Sequence, residues 1–185
     1  MSQQELLISL LDFLARNNIP YMLTGSVVSS LQGEPRLSHD IDVLVECDRR
    51  IVPSLQASFP APRYYFDEMA IDEAVQRGSM FNLLDTLAGD KIDFWMLTDS
   101  HFDECRFGRK IAISLLGRTA WISTPEDTIL AKLRWAKQAD GSPKQINDAR
   151  RIFQVNESAL DREYLRLWVL QLGVREQWEA MIKNI

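Results

Sequence analysis

Two aspartates, one residue apart, open an otherwise apolar strand in the run Asp40-Ile-Asp-Val-Leu-Val-Glu46. Side chains alternate faces along a strand, so Asp40 and Asp42 point one way while Ile41, Val43 and Val45 point the other. A third carboxylate, Asp93, lies in the similar run Lys91-Ile-Asp-Phe-Trp-Met-Leu97, with Ile92, Phe94 and Met96 facing opposite to it. Like charges in a partly dry site are costly unless a cation neutralises them or protons are taken up. A divalent metal is the simplest answer. Oxygen-only ligands suit Mg²⁺ or Mn²⁺ rather than zinc, and Mg²⁺ takes its remaining ligands from water and substrate phosphates. The three acids therefore imply a phosphate-bearing substrate.

Upstream, Gly25-Ser26 follows the short strand Tyr21-Thr24 and opens an apolar helix. Backbone amides at a helix N-terminus can receive phosphate oxygens. Taken singly, Gly25 reads equally as a turn glycine and Ser26 as a helix N-cap. Lys91 shares a strand face with Asp93, which aims a cation to where phosphate would lie; a surface lysine at a strand end is the alternative. Trp95 shares that face as well and is a candidate to line a nucleotide pocket. No Walker A loop, dinucleotide fingerprint or protein-kinase signature competes for the phosphate role. His39 and His101 are the only histidines, and neither has the partners that nucleophilic catalysis requires.

A strand, Gly25-Ser26, a helix, a linker with Arg36 and Ser38, Asp40-Ile41-Asp42 and a later strand with Asp93 together resemble the nucleotidyltransferase fold of the polymerase-beta-like superfamily. The resemblance covers about the first two thirds of the chain. It is strongest to small stand-alone members, among them antibiotic nucleotidyltransferases and the nucleotidyltransferase toxins of abortive-infection systems. It implies transfer of a nucleoside monophosphate from an NTP such as ATP to a hydroxyl or amine acceptor on a small molecule, a protein or an RNA end. In such proteins the Gly-Ser turn holds nucleotide phosphates, the three acids hold two metals, and one acid helps activate the attacking hydroxyl. Carried onto this sequence, Asp40, Asp42 and Asp93 are the catalytic and metal-holding positions. Gly25 and Ser26 are the phosphate-holding ones, and Arg36 in the linker, Lys91 beside Asp93 and Lys132 complete the nucleotide-binding candidates. The spacing from Gly-Ser to the first acid is somewhat long, with Gly33-Glu-Pro35 in the linker. Lys132 and Asp148 look like the lysine and acid that follow the core strands in toxin-like members, and an interhelical salt bridge explains them as well. For a toxin, a cognate antitoxin protein would be the partner. A non-catalytic nucleotide- or protein-binding member of the same fold is the rival reading.

At 185 residues the chain suits one domain of ordinary size, or a core domain with a helical annex. No apolar run is long enough to span a bilayer, and the N-terminus lacks the basic start and small-residue cleavage site of a secretory signal, so the expected compartment is the cytoplasm. The formal charge of −5 argues against a generic nucleic-acid binder. Arg106, Arg109, Lys110 and Arg118, and then Lys132, Arg134, Lys137 and Lys144, form two basic runs that read as solvated faces. Cys47 and Cys105 lie far apart with no CxxC or histidine pairing, which indicates neither disulfide nor zinc. The five tryptophans sit mostly in amphipathic context and read as core.

The expected fold class is α/β, with a mixed, partly antiparallel sheet flanked by helices and followed by C-terminal helices. Residues 1–123 read as the nucleotidyltransferase-like core and 124–185 as a helical region packed on it. Ser2 with Glu5 forms a capping box ahead of helical leucines, Asp48 is placed to cap a helix through Ser58, and Asp67–Arg77 reads as a helix closed by Gly78. Two β-hairpins are expected, 79–97 and 110–123, with 101–107 ambiguous. Thr124-Pro125-Glu126-Asp127 and Ser142-Pro143 are helix starts, giving helices near 126–139, 143–154, 161–171 and 174–184.

Overall fold

The computed structural model describes residues 3–35 and 38–183; the capping role expected of Ser2 lies outside them. The chain forms two compact units, Met1–Val27 with Leu37–Ile122, and Val28–Arg36 with Ser123–Ile185. The first holds seven strands in a mixed sheet of order β3-β4-β5-β2-β1-β7-β6: β1 Tyr21–Thr24, β2 Asp40–Val45, β3 Tyr64–Tyr65, β4 Met80–Asp85, β5 Lys91–Met96, β6 Ile111–Leu115 and β7 Arg118–Ile122. β2 runs antiparallel to β1 and parallel to β5, and β5 closes a hairpin with β4. The class is α/β, as the sequence implies.

Helices of this unit are α1 Gln3–Arg16, α3 Ile51–Ser58, α4 Glu68–Arg77 and α5 His101–Gly108, and α2 Gly25–Gln32 begins here. The leucines of α1 recur at helical spacing, and Leu6, Leu7, Leu10, Leu11, Phe13 and Leu14 are buried. Phe13 meets Phe59 edge-on at 5.6 Å, and Phe59 meets Tyr64 at 5.2 Å. One sheet face is continuous core: Leu23, Ile41, Val43, Ile92, Phe94, Phe81 and Leu83 are essentially inaccessible. α4 is capped as its sequence suggests, with Asp67 accepting from the Met69 amide and Gly78 at φ 61°. The segment 101–107 is a helix, because the Ser100 hydroxyl accepts from the Asp103 amide. Asp48 does not cap α3; its carboxylate takes the Arg50 amide and guanidinium instead, and the helix begins at Ile51.

The second unit holds the rest of α2 with α6 Pro125–Gln138, α7 Pro143–Asn156, α8 Arg162–Gln171 and α9 Arg175–Ile182. Thr124 caps α6 through the Asp127 amide, whereas Ser142 makes no such bond to α7. Tyr164 donates to Asp127 at 2.6 Å, and Asn156 donates to the Gln32 carbonyl at 2.8 Å. Two tryptophans depart from the core expectation: Trp121 and Trp135 are exposed. Trp121 falls on the opposite side of β7 from buried Ala120 and Ile122, and Trp135 sits between the buried positions Leu133 and Ala136 of α6. Cys47 and Cys105 are free thiols, and burial, with the charge of Asp48, pushes Cys47 up to about 12. No described helix is long and apolar enough to cross a membrane.

Candidate functional site

Register, rather than any single strand, builds the site. Asp42 pairs with Asp93 across the parallel β2–β5 ladder, Thr24 pairs with Asp42 on one side, and Asn82 pairs with Asp93 on the other. Thr24, Asp42, Asp93 and Asn82 thus form one row across four strands on the face opposite the core. Asp40 and Lys91 form the next row. Neighbouring strands lie about 4.8 Å apart, so the carboxylates in a row are forced into each other's field.

Lys91 answers that field. Its ammonium lies 2.8 Å from Asp93 Oδ2 and 3.7 Å from Asp40 Oδ1. Burial pulls the Lys91 pKa down, but the hydrogen bond to Asp93 and the charges of Asp93, Asp40 and Asp42 outweigh it and hold the pKa above the ordinary lysine value. All three acids therefore act on one cation. Asp93 is deepest, with a side chain 8% exposed against 48% for Asp40, so the cluster opens to solvent on the Asp40 side. Asn82 donates to Asp93 Oδ1 at 2.6 Å, which leaves Oδ2 turned to Lys91. Trp95 donates its indole N–H to Asp42 Oδ1 at 3.3 Å and packs with Met22, Leu44 and Phe107 at the closed end of this face.

The turn from β1 into α2 closes over Asp42. Gly25 has φ 65°, and a Cβ there would lie 1.9 Å from Asp42 Oδ2. Glycine is required twice over, for the dihedral and for the approach. The Ser26 amide donates to Asp42 Oδ2 at 3.4 Å, while its hydroxyl donates to the Asp40 carbonyl at 3.0 Å and meets Ser38 Oγ at 2.7 Å. Ser26 thus fastens the turn to the head of β2.

Of the residues singled out from sequence, Gly25, Ser26, Asp40, Asp42, Lys91 and Asp93 come together. Arg36 lies outside the described residues. Lys132 belongs to the second unit, where it is buried and bonded to Asp148 at 3.0 Å. Asn82 was missed, although it is a polar residue between buried Phe81 and Leu83 in an alternating strand. His39 binds Asp90 at 2.9 Å, and Asp85 pairs with Arg63 and accepts from the Leu87 and Ala88 amides. Burial pushes Asp85 up, but those partners hold its carboxyl below the usual range.

Among the described residues, no three His, Cys, Asp or Glu side chains converge as ready metal ligands. The chemistry of the set still suits a hard cation: the donors are all carboxylate oxygens, and an ammonium already stands among them.

No protein-family model matches the sequence. No curated protein matches it either. Solved structures do. Antibiotic-resistance factor ANT(2'')-Ia, in complex with adenylyl-2''-tobramycin, superimposes with a TM-score of 0.64 at 17% identity, over 95% of this chain and 99% of that one. An antigenic nucleotidyltransferase-like protein from Paracoccidioides brasiliensis matches 98% of this chain and 92% of its own with a TM-score of 0.59 at 17% identity. The chain has the nucleotidyltransferase fold. The lincosamide antibiotic adenylyltransferase LnuA, bound to lincomycin, shares that fold over 80% of this chain and 95% of its own, with a TM-score of 0.53 at 13% identity. At these identities the likeness concerns the fold alone, and within the nucleotidyltransferase fold seen here the acids, the Gly-Ser turn and Lys91 share one end of the first unit.

Proposed function

We propose that this chain is a metal-dependent nucleotidyltransferase that moves a nucleoside monophosphate from an NTP to an acceptor hydroxyl or amine. The observation that carries the reading is the shared face: Asp42 and Asp93 side by side, Asp40 one row on, and the Gly25-Ser26 turn against Asp42. Asp40, Asp42 and Asp93 would hold Mg²⁺ or Mn²⁺, which when bound supplies positive charge to the phosphates and to the attacking oxygen. The chain's own residues do the placing. The turn presents backbone amides at the start of α2 to phosphate oxygens. Ser26 keeps that turn fixed to β2, and Trp95 and Asn82 orient Asp42 and Asp93. Lys91, more than a third exposed along its side chain, can swing from the acids to a phosphate. With Lys91 turned away, Asp93, held at one oxygen by Asn82, would take the acceptor's proton through the other.

One of the similar structures is a lincosamide antibiotic adenylyltransferase and another, an antibiotic-resistance factor, holds adenylyl-2''-tobramycin, so a hydroxyl on a small polar molecule is the acceptor class to try first. A protein side chain, an RNA end and a toxin role with a cognate antitoxin follow. A second reading, a non-catalytic nucleotide- or protein-binding member, draws support from Lys91, whose ammonium fills the space between Asp40 and Asp93. Calorimetric NTP titration with Mg²⁺ and pyrophosphate release, on wild type and Asp93→Asn, separate the two. The enzyme reading expects the variant to bind NTP and to lose turnover by about a hundredfold or more. Nucleotide binding by wild type with no pyrophosphate release under any acceptor would establish the rival.

A further inference from the structure

Among the described residues, strand β6 ends the sheet and no strand pairs with its outer edge. Its sequence, Ile111-Ala-Ile-Ser-Leu115, has no charge, proline or bulge, the devices by which edge strands are usually protected from pairing. Ile111, Ala112 and Ser114 are exposed, and Ile113 and Leu115 only half-buried. The hairpin to β7 turns through Leu116 and Gly117, both at positive φ, with Leu115 opposite Arg118. A two-residue hairpin makes that closing pair hydrogen-bonded, so Leu115, Ile113 and Ile111 direct their main-chain groups to β7. Ala112 and Ser114 direct theirs outward.

We propose that β6 pairs antiparallel with β6 of a second copy of this chain, about a two-fold axis through Ile113. The strand is nearly a palindrome about that residue: Ile111 and Leu115 are matched aliphatics, and Ala112 and Ser114 are matched small residues. Centred there, each outward Ala112 faces a Ser114 of the other copy, and the two pairs exchange four main-chain hydrogen bonds with no outward group of the strand left over. Ile113 meets its own mate, and Ile111 meets Leu115, on the side that the β6–β7 register shares with buried Ala120 and Ile122. The same apolar stripe thus continues from one sheet into the other. Shifting the axis to Ala112 or Ser114 loses that match. Charge agrees as well. Lys110, the nearest cation in the chain before β6, lies across from Leu116 of the other copy, and the two Lys110 positions are separated by six strand residues, about 20 Å, beyond the screening length at physiological salt. A five-residue strand pair covers less than the ~1,200 Å² of a standard interface, which puts the dimer among weak, readily exchanging contacts.

Sedimentation velocity on the full chain from about 1 to 200 μM tests this. Wild type is expected to shift from monomer to dimer across the series, and a monomer at the top concentration overturns the proposal. Ser114→Pro removes an outward N–H without touching the hairpin ladder and should weaken association about tenfold or more. Unchanged association in that variant, with native circular dichroism, overturns it also. Ile113→Cys supplies an independent check, because a non-hydrogen-bonded antiparallel pair sets Cα atoms about 4.5 Å apart, within disulfide range. It should give a covalent dimer under mild oxidation while Ser114→Cys and wild type stay monomeric on a non-reducing gel; equal cross-linking of all three would refute the axis.

Discussion

Gly25→Ala is the substitution for which the structure gives the sharpest number. At φ 65° an alanine costs about 1–2 kcal/mol in backbone energy alone. Its Cβ would stand 1.9 Å from Oδ2, 2.4 Å from Cγ and 2.6 Å from Cβ of Asp42, where ordinary contact begins near 3.4 Å. The obstacle reaches back to the root of a side chain on a central strand, so rotation alone cannot relieve it. Forcing the turn and β2 apart adds about 1–3 kcal/mol. A loss of about 3 kcal/mol follows, which for a chain of this length lowers the melting temperature by about 6–12 °C. The assay is urea and thermal unfolding of wild type, Gly25→Ala, Asp42→Gly and the double variant. If the clash is with Asp42, the alanine penalty in the Asp42→Gly background falls to the backbone part, giving a coupling of about 1–3 kcal/mol. Equal penalties in both backgrounds, or a Gly25→Ala protein melting within about 1 °C of wild type, would refute the reasoning.

Lys91→Met strips the acids of their shared cation and should lower the melting temperature at neutral pH and low salt, with millimolar Mg²⁺ restoring it if the acids hold metal. Because the folded-state pKa of Lys91 is raised, its contribution is fully present below about pH 10.4 and disappears as pH rises through the raised value, so the variant and wild type should converge in alkaline melts. Lys132→Met leaves buried Asp148 without its ammonium and should cost about 3–5 kcal/mol in urea unfolding, most of it recovered by adding Asp148→Leu. Leu116→Asn relieves a leucine held at φ 51° and should stabilise the β6–β7 hairpin by about 1 kcal/mol, read as a higher urea midpoint.

The acids were legible because a two-residue period in an apolar run leaves few ways to place a charge, and Asp40, Asp42 and Asp93 all interrupt such runs. Local elements were legible for the same kind of reason: Thr124-Pro125 starts a helix and Gly78 ends one by chemistry confined to a few residues. What the sequence withholds is lateral. Nothing in β2 or β5 says that Asp42 will stand beside Asp93, since that pairing joins strands far apart in the chain. Asn82 escaped notice because its importance comes wholly from its neighbour in the ladder. Trp121 and Trp135 were misplaced because a large apolar ring predicts burial only when the facing surface exists, and both point away from the buried side of their elements.

The β2–β5 ladder leaves the intervening chain with unusual liberty. Asp42 and Asp93 are aligned by hydrogen bonds between their own strands, and Asp93 is held on its other side by the tight β4–β5 hairpin. The path from Val45 to Met80, through α3, β3 and α4, supplies no strand next to β2 or β5, since β3 lies beyond β4. Insertions or deletions there would leave the carboxylates in step, whereas a single residue added within β5 would turn Asp93 to the core face. The carboxylate row of such a fold can stay fixed while the segments around it drift, so change can accumulate in one stretch of the chain without reaching the other.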